Sequence, residues 1–167
     1  MEILTTERLF LRTLKEEDFL TLYTKVFSDY EVVKNTFGSS MFSKEETFEF
    51  LKTNGNFDKQ LGLSALIEKQ TNKIIGLAGV LKCEYLEQID YEIGFILEKE
   101  SWNKGYAKEI GFAQIEFIKN ILKQKRAIAL VSNNNQASIK SLEKLNFKYK
   151  KTIEVKRGER LIYSLVF

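Results

Sequence analysis

Apolar and polar residues alternate over residues 8–14. Leu9, Leu11 and Thr13 fall on one side and Arg8, Phe10 and Arg12 on the other, a period of two that predicts a first strand. Residues 16–28 and 43–52 read as helices, the second opened by Ser43 and Glu46 at capping-box spacing. Strands follow at 61–68, 74–81 and 89–97, antiparallel neighbours with a turn at Thr71-Asn72-Lys73. The period then changes. Over 105–119, Ile110, Ala113, Phe117 and Ile118 share one helical face, with Ile121 beyond. Residues 127–131 are wholly apolar, as a buried central strand requires. A last helix covers 135–145, with Ile139, Leu142 and Leu145 at helical spacing, and a hairpin of 147–155 and 160–166 closes the chain around Arg157-Gly158. The pattern predicts one mixed α/β domain over 1–167, with a strand–helix–strand–helix unit in the middle of its sheet.

Composition narrows the chemistry. The 167 residues contain no histidine and one cysteine, Cys83. That removes Ser-His-Asp and Cys-His catalysis, intrachain disulfides and an ordinary zinc or iron ligand set, so no metal is expected. Proton transfer falls to Glu, Asp, Tyr, Lys, Ser or water. The net charge of +3, with both signs mixed along the chain, does not point to nucleic acid. No uninterrupted apolar run reaches the ~18 residues of a membrane span, and the first residues do not resemble a signal peptide. The lone thiol fits a reducing cytoplasm.

The strongest local signal is Trp102-Asn103-Lys104-Gly105-Tyr106-Ala107, between a strand and a long helix. The first N–H groups of a helix lack intrahelical partners and lie at the positive end of its dipole. Small residues at Gly105 and Ala107 let backbone approach an anion, and Lys104 adds charge. On these grounds alone, an ordinary tight turn and a phosphate-binding turn are equally good readings.

With the preceding Tyr91-Glu92-Ile93-Gly94-Phe95-Ile96-Leu97, this turn resembles motif A of the GNAT acetyltransferase superfamily. Thr6-Glu7-Arg8-Leu9 with Leu11-Arg12 is similar to the opening of its Rim-type branch, the ribosomal-protein N-terminal acetyltransferases. So are Asn135-Gln136-Ala137-Ser138 and the run from Leu142 to Phe147. The resemblance spans nearly the whole chain in order. It implies a mostly antiparallel central sheet of about seven strands with about four helices, splayed between the fourth and fifth strands. It implies that Phe95, Ile96 and Leu97 offer backbone groups to the pantetheine of acetyl-coenzyme A, and that Asn103, Lys104, Gly105, Tyr106, Ala107 and Lys108 wrap its pyrophosphate. Asn135 would bond the pantetheine or its sulfur end. Two positions depart from the pattern. Trp102 stands where many members have Arg or Gln, and Asn146 stands where a glycine is usual, a place that needs left-handed backbone.

Acetyl transfer needs a neutral amine and a donor to the departing thiolate. Leu142 matches the position of a frequent Tyr acid and cannot donate, whereas the resemblance matches Ser138 to a serine used in the Rim-type branch. For the base, Leu130 replaces a carboxylate found in some relatives. Glu92, Glu154 and relayed water remain the alternatives. Tyr85, Tyr91, Tyr106 and Trp102 read first as packing residues, as does Cys83, and Arg8 and Arg12 as partners of surface carboxylates. The expected function is an acetyl-coenzyme A-dependent N-acetyltransferase acting directly on a primary amine, of a protein N-terminus or a small molecule. The alternative is a non-catalytic acyl-coenzyme A-binding sensor or scaffold. Acceptor specificity is expected in residues 28–56, 82–88 and the Arg157 turn. The oligomeric state stays open, a homodimer included.

Overall fold

The computed structural model describes residues 1–37, 40–58, 60–156 and 158–167. Its strands are β1 (Glu2–Thr5), β2 (Leu9–Arg12), β3 (Ser64–Glu68), β4 (Lys73–Cys83), β5 (Asp90–Leu97), β6 (Arg126–Val131), β7 (Lys148–Val155) and β8 (Gly158–Val166). The α-helices are α1 (Phe19–Leu22), α2 (Tyr30–Phe37), α3 (Lys44–Asn54), α4 (Tyr106–Glu116) and α5 (Gln136–Lys144). A 3-10 turn at Glu16–Asp18 leads into α1 and a π turn at Tyr23–Phe27 follows it, so residues 16–27 form one helical stretch, as their pattern predicts. A second π turn, Phe117–Ile121, prolongs α4. The closing hairpin is present as β7 and β8, while Arg157 of its turn lies outside the described residues.

The eight strands form one sheet in the order β1-β2-β3-β4-β5-β6-β8-β7, with every neighbouring pair antiparallel except β5 and β6. Leu66 and its neighbours show how the layers are built. Ala65 and Ile67 face the aromatic layer under α1, α2 and α3, whereas Leu66 faces the side where Tyr106 and Ile110 of α4 pack. Phe27, Phe37, Phe42 and Phe50 meet edge to face or tilted, except Phe27 and Phe37, which stack, with ring centroids 4.8–6.1 Å apart, so much of the first layer is aromatic. Ile115 and Ile118 of the α4 segment join Ile139 and Leu142 of α5 over Ile93, Ala127 and Ala129.

The parallel seam decides where a site can form. At one end Arg126 clamps Asp90 with two charge-assisted bonds of 2.6 and 2.7 Å, the carboxylate being buried. Two residue pairs follow, Glu92 with Ile128 and Ile93 with Ala129. Beyond Ile93 the strands part, while β5 keeps its pairing to β4 through Leu97. Past that point Gln114 of α4, itself fully buried, donates to the carbonyl of Gly94 at 2.9 Å. The expected splay between fourth and fifth strands is this one, displaced by one in number.

That displacement comes from β1, which the alternation did not predict and which makes eight strands rather than seven. It is a four-residue edge strand whose return to β2 is fixed by Thr6, bonded through backbone and hydroxyl to Leu9. The fifth helix is α2. Asp29 opens it by accepting from the N–H groups of Glu31 and Val32, an Asx cap, and Val32 and Val33 are buried beneath it.

Candidate active site

Two cavities meet at the splay. The larger, about 620 Å³, runs along the start of α4 and the outer side of α5. The smaller, about 280 Å³, lies between β5 and β6 and is roofed by α2 and α3. Thr36, Phe95, Ile96, Asn135 and Ser138 line both, so a molecule in one can touch a molecule in the other there.

The larger cavity begins at the turn. Gly105 is the N-cap of α4 and has left-handed backbone (φ +81°), a conformation that disfavours any side chain. Asn103 is also left-handed (φ +60°), so the turn is doubly curled. The first backbone bond of the helix runs from the Glu109 N–H to the Gly105 carbonyl. The N–H groups of Tyr106, Ala107 and Lys108 precede it without intrahelical acceptors, and no side chain caps them. Donors of this kind fit a pyrophosphate, and Lys108, Lys140 and Lys144 add positive charge to the wall. Lys104 is placed otherwise. Its side chain lies toward the Tyr106 ring, 6.0 Å from the centroid, and it is absent from the lining. Its carbonyl accepts from Arg8.

Phe95, Ile96 and Leu97 line this cavity on the stretch of β5 that β6 has left. The Leu97 carbonyl accepts from the Trp102 indole at 3.0 Å, which ties strand to turn and makes Trp102 a brace. Asn135 caps α5, its side-chain oxygen accepting from the Ser138 N–H at 3.1 Å. The cap does not exclude a second task, since Asn135 and Ser138 both line the two cavities where they meet.

Glu92 is the last residue but one of β5 to be paired with β6, and its carboxyl lines the smaller cavity. The residue is half-buried. Burial raises its pKa from 4.5 to about 7, against the opposing effect of a hydrogen bond from the Tyr85 phenol. Tyr85 is pushed up as well, by burial first and then by the Glu92 charge. Glu154, the other candidate base, is exposed on β7 and lines neither cavity.

Other residues take structural places. Burial, then the charges of Glu92 and Asp90, lift the Cys83 thiol to about 12, so it stays protonated in its packed position. Tyr106 is buried with its hydroxyl on Glu68 at 2.6 Å. Arg8 and Arg12 pair with carboxylates, as expected, but not with surface ones: Glu109 is largely covered and Asp18 is buried. Asn146 has the left-handed backbone expected of it (φ +68°). Thr36, Phe37, Phe50 and Asn54 line the smaller cavity from within residues 28–56, the segment expected to carry acceptor specificity, although none was singled out there, and Arg160 of β8 was not anticipated. Asp29 followed by Val33 and Phe37 at helical spacing is a signal for α2, whereas nothing local marks Arg160. Among the described residues no His, Cys, Asp or Glu side chains group as a metal site, and no helix is long and apolar enough to cross a membrane.

Residues 8–148 match the family model described as an acetyltransferase (GNAT) domain. The chain is 32% identical to the uncharacterized protein YkkB of Bacillus subtilis over 152 residues, covering 90% of this chain and 87% of that one. It is 32% identical to the uncharacterized N-acetyltransferase p20 of Bacillus licheniformis, covering 88% and 83%. Among solved structures, a GNAT-family acetyltransferase from Bacillus anthracis superposes with a TM-score of 0.79 at 23% identity, covering 99% of this chain and 98% of that one. RimL, a ribosomal L7/L12 alpha-N-protein acetyltransferase in complex with coenzyme A, gives 0.76 at 15%, covering 100% and 98%. Spermidine N-acetyltransferase from Vibrio cholerae, in complex with CoA and spermine, gives 0.74 at 17%, covering 96% of each.

Proposed function

The chain belongs to the GNAT acetyltransferase family, and from that premise we propose that residues 1–167 form one domain that transfers an acetyl group directly from acetyl-coenzyme A to a primary amine. The observation that carries this reading is the meeting of the two cavities at Asn135 and Ser138, with Glu92 in the smaller one. Acetyl-coenzyme A occupies the larger cavity. Its pyrophosphate lies on the N–H groups from Asn103 to Lys108, with Lys104 contributing backbone only, and its pantetheine runs along Phe95, Ile96 and Leu97. The amine enters the smaller cavity. This arrangement supports a ternary complex, because donor and acceptor have separate chambers that meet directly, and the one thiol of the chain, Cys83, lines neither.

Glu92 takes a proton from the incoming ammonium and frees the nitrogen lone pair. A base near neutral is well matched to that task. The nitrogen attacks the thioester carbonyl carbon, the C–S bond breaks, and its electron pair stays on sulfur. Ser138 donates a hydrogen bond to the developing thiolate, which takes up one proton, while a second leaves to solvent by way of Glu92. Net, an ammonium and an acetyl thioester become an amide, a thiol and a proton. The branch resembling the Rim-type enzymes, with a protein N-terminus as acceptor, is one form of this reading, and so is a cytoplasmic location. Thiol release from acetyl-coenzyme A in the presence of amine acceptors tests it. Binding of acetyl-coenzyme A with no thiol release from any amine would refute the reading.

A further inference from the structure

The smaller cavity also constrains which amine can fill it, an argument that rests on the reading of this cavity as the acceptor chamber. At about 280 Å³ it lies just below the ~300–1,000 Å³ usual for ligand pockets. Against the ~30 Å³ that one water occupies in the liquid, it holds on the order of ten heavy atoms.

Its wall is mostly apolar. Phe37 and Phe50 come from the helices above, Leu63 and Leu81 from the sheet and its approach, and Leu130 and Leu142 from the far side of the splay. Glu92 is the one carboxylate among the described lining residues, and the other formal charge there is positive, on Arg160. Arg160 is buried and fixed. Its guanidinium donates to the carbonyls of Glu159 at 2.8 Å and of Phe37 at 2.7 Å, so it closes β8 against the end of α2.

These facts bear on charge count. One ammonium is matched by Glu92. A second ammonium on the same molecule would meet no further carboxylate among the described lining residues, only neutral polar groups such as Asn54 and Thr36 or the positive charge of Arg160, and burying an unpaired charge is strongly unfavourable. An apolar body gains free energy from leaving water in proportion to the apolar area it buries. We infer that the acceptor moiety is a single primary amine on an apolar body of about ten heavy atoms, and that polycationic amines are rejected. The same chemistry is offered by a free arylalkyl or branched alkyl amine and by a peptide beginning with a large apolar residue.

The test is an acceptor panel with the full chain, following thiol release from acetyl-coenzyme A at fixed pH. The panel holds 2-phenylethylamine, isopentylamine, a short peptide beginning with Phe, spermidine and an aminoglycoside. Expected is a kcat/KM at least tenfold higher for the apolar monoamines or the Phe peptide than for either polycation. The monoamine and peptide arms tell the two sources apart. Equal or greater use of spermidine or the aminoglycoside overturns the inference and leaves the acetyltransferase reading intact. A protein that binds acetyl-coenzyme A but turns over no acceptor fails the acetyltransferase reading itself. Leu130→Glu adds a second carboxylate to the wall. In the folded variant the ratio of kcat/KM for 1,4-diaminobutane over isopentylamine should rise at least fivefold, and an unchanged ratio overturns the charge argument.

Discussion

The guanidinium of Arg8, in the turn between β1 and β2, donates to the carbonyl oxygen of Lys104 at 2.8 Å. The same side chain is bonded through Nε to Glu109 in the first turn of α4 at 2.7 Å and lies 4.6 Å from the centre of the Tyr106 ring. Arg8 thus ties Lys104 and Tyr106 of the proposed pyrophosphate turn to Glu109 just beyond it, without belonging to the turn.

Arg8→Ala should therefore weaken acetyl-coenzyme A binding while the fold persists. The side chain is partly solvated, so a loss of about three- to tenfold in Kd is expected, equivalent to about 0.7–1.4 kcal/mol. Calorimetry checks this. Arg8→Lys should recover only part of the loss, because an ammonium cannot make the forked set of bonds.

Gly105 is constrained twice over. Its backbone is left-handed, and a Cβ built there would lie 3.3 Å from an Arg8 nitrogen. Gly105→Ala should cost about 1–2 kcal/mol of stability from backbone strain, read from denaturant unfolding. Gly105→Glu adds a negative charge where the phosphates are proposed to sit, and should abolish measurable acetyl-coenzyme A binding in calorimetry.

Glu92 carries a pH signature. Its folded pKa of about 7 exceeds the 4.5 of the free side chain, so between these values the folded chain holds a proton that the unfolded chain has released. Stability contributed by Glu92 is complete below about 4.5 and declines as pH rises toward 7 and beyond. Glu92→Gln should remove that decline. Relative to the parent, its Tm should gain a few degrees between pH 4.5 and 8, seen in parallel thermal scans. In kinetics the kcat/KM profile of the parent should show an acidic limb near pH 7, which the variant loses along with most of its rate.

Ser138→Ala tests the thiolate donor. With saturating substrates and chemistry rate-limiting, kcat should fall by about ten- to a hundredfold while acetyl-coenzyme A affinity holds. Asn135→Ala differs, since it also removes the α5 cap and should cost about 1 kcal/mol of stability.

What could be read from the chain depends on how local each feature is. The Gly105 turn and the Asn135 cap are written in a few adjacent residues, because helix ends have short-range requirements. The splay was anticipated through family resemblance, since alternation along β5 does not reveal where β6 leaves it. Arg160 could not be foreseen at all. It reaches Phe37 across 123 positions, and only the closure of the sheet brings them together. Strand β1 was missed because four residues on an edge, half exposed, carry too little alternation to register.

The seam between β5 and β6 has a consequence for assembly. Glu92 sits on the side built from β1 to β5, and Asn135 and Ser138 on the side built from β6, β7, β8 and α5. Neither portion owns a full set of proposed reacting groups. The Asp90–Arg126 clamp, two rungs of ladder and the apolar layer beneath α4 and α5 are what bring the sets into register. On the proposed assignment, chemistry in this molecule is a property of a junction: a partial opening that leaves each portion's own ladders whole would silence it.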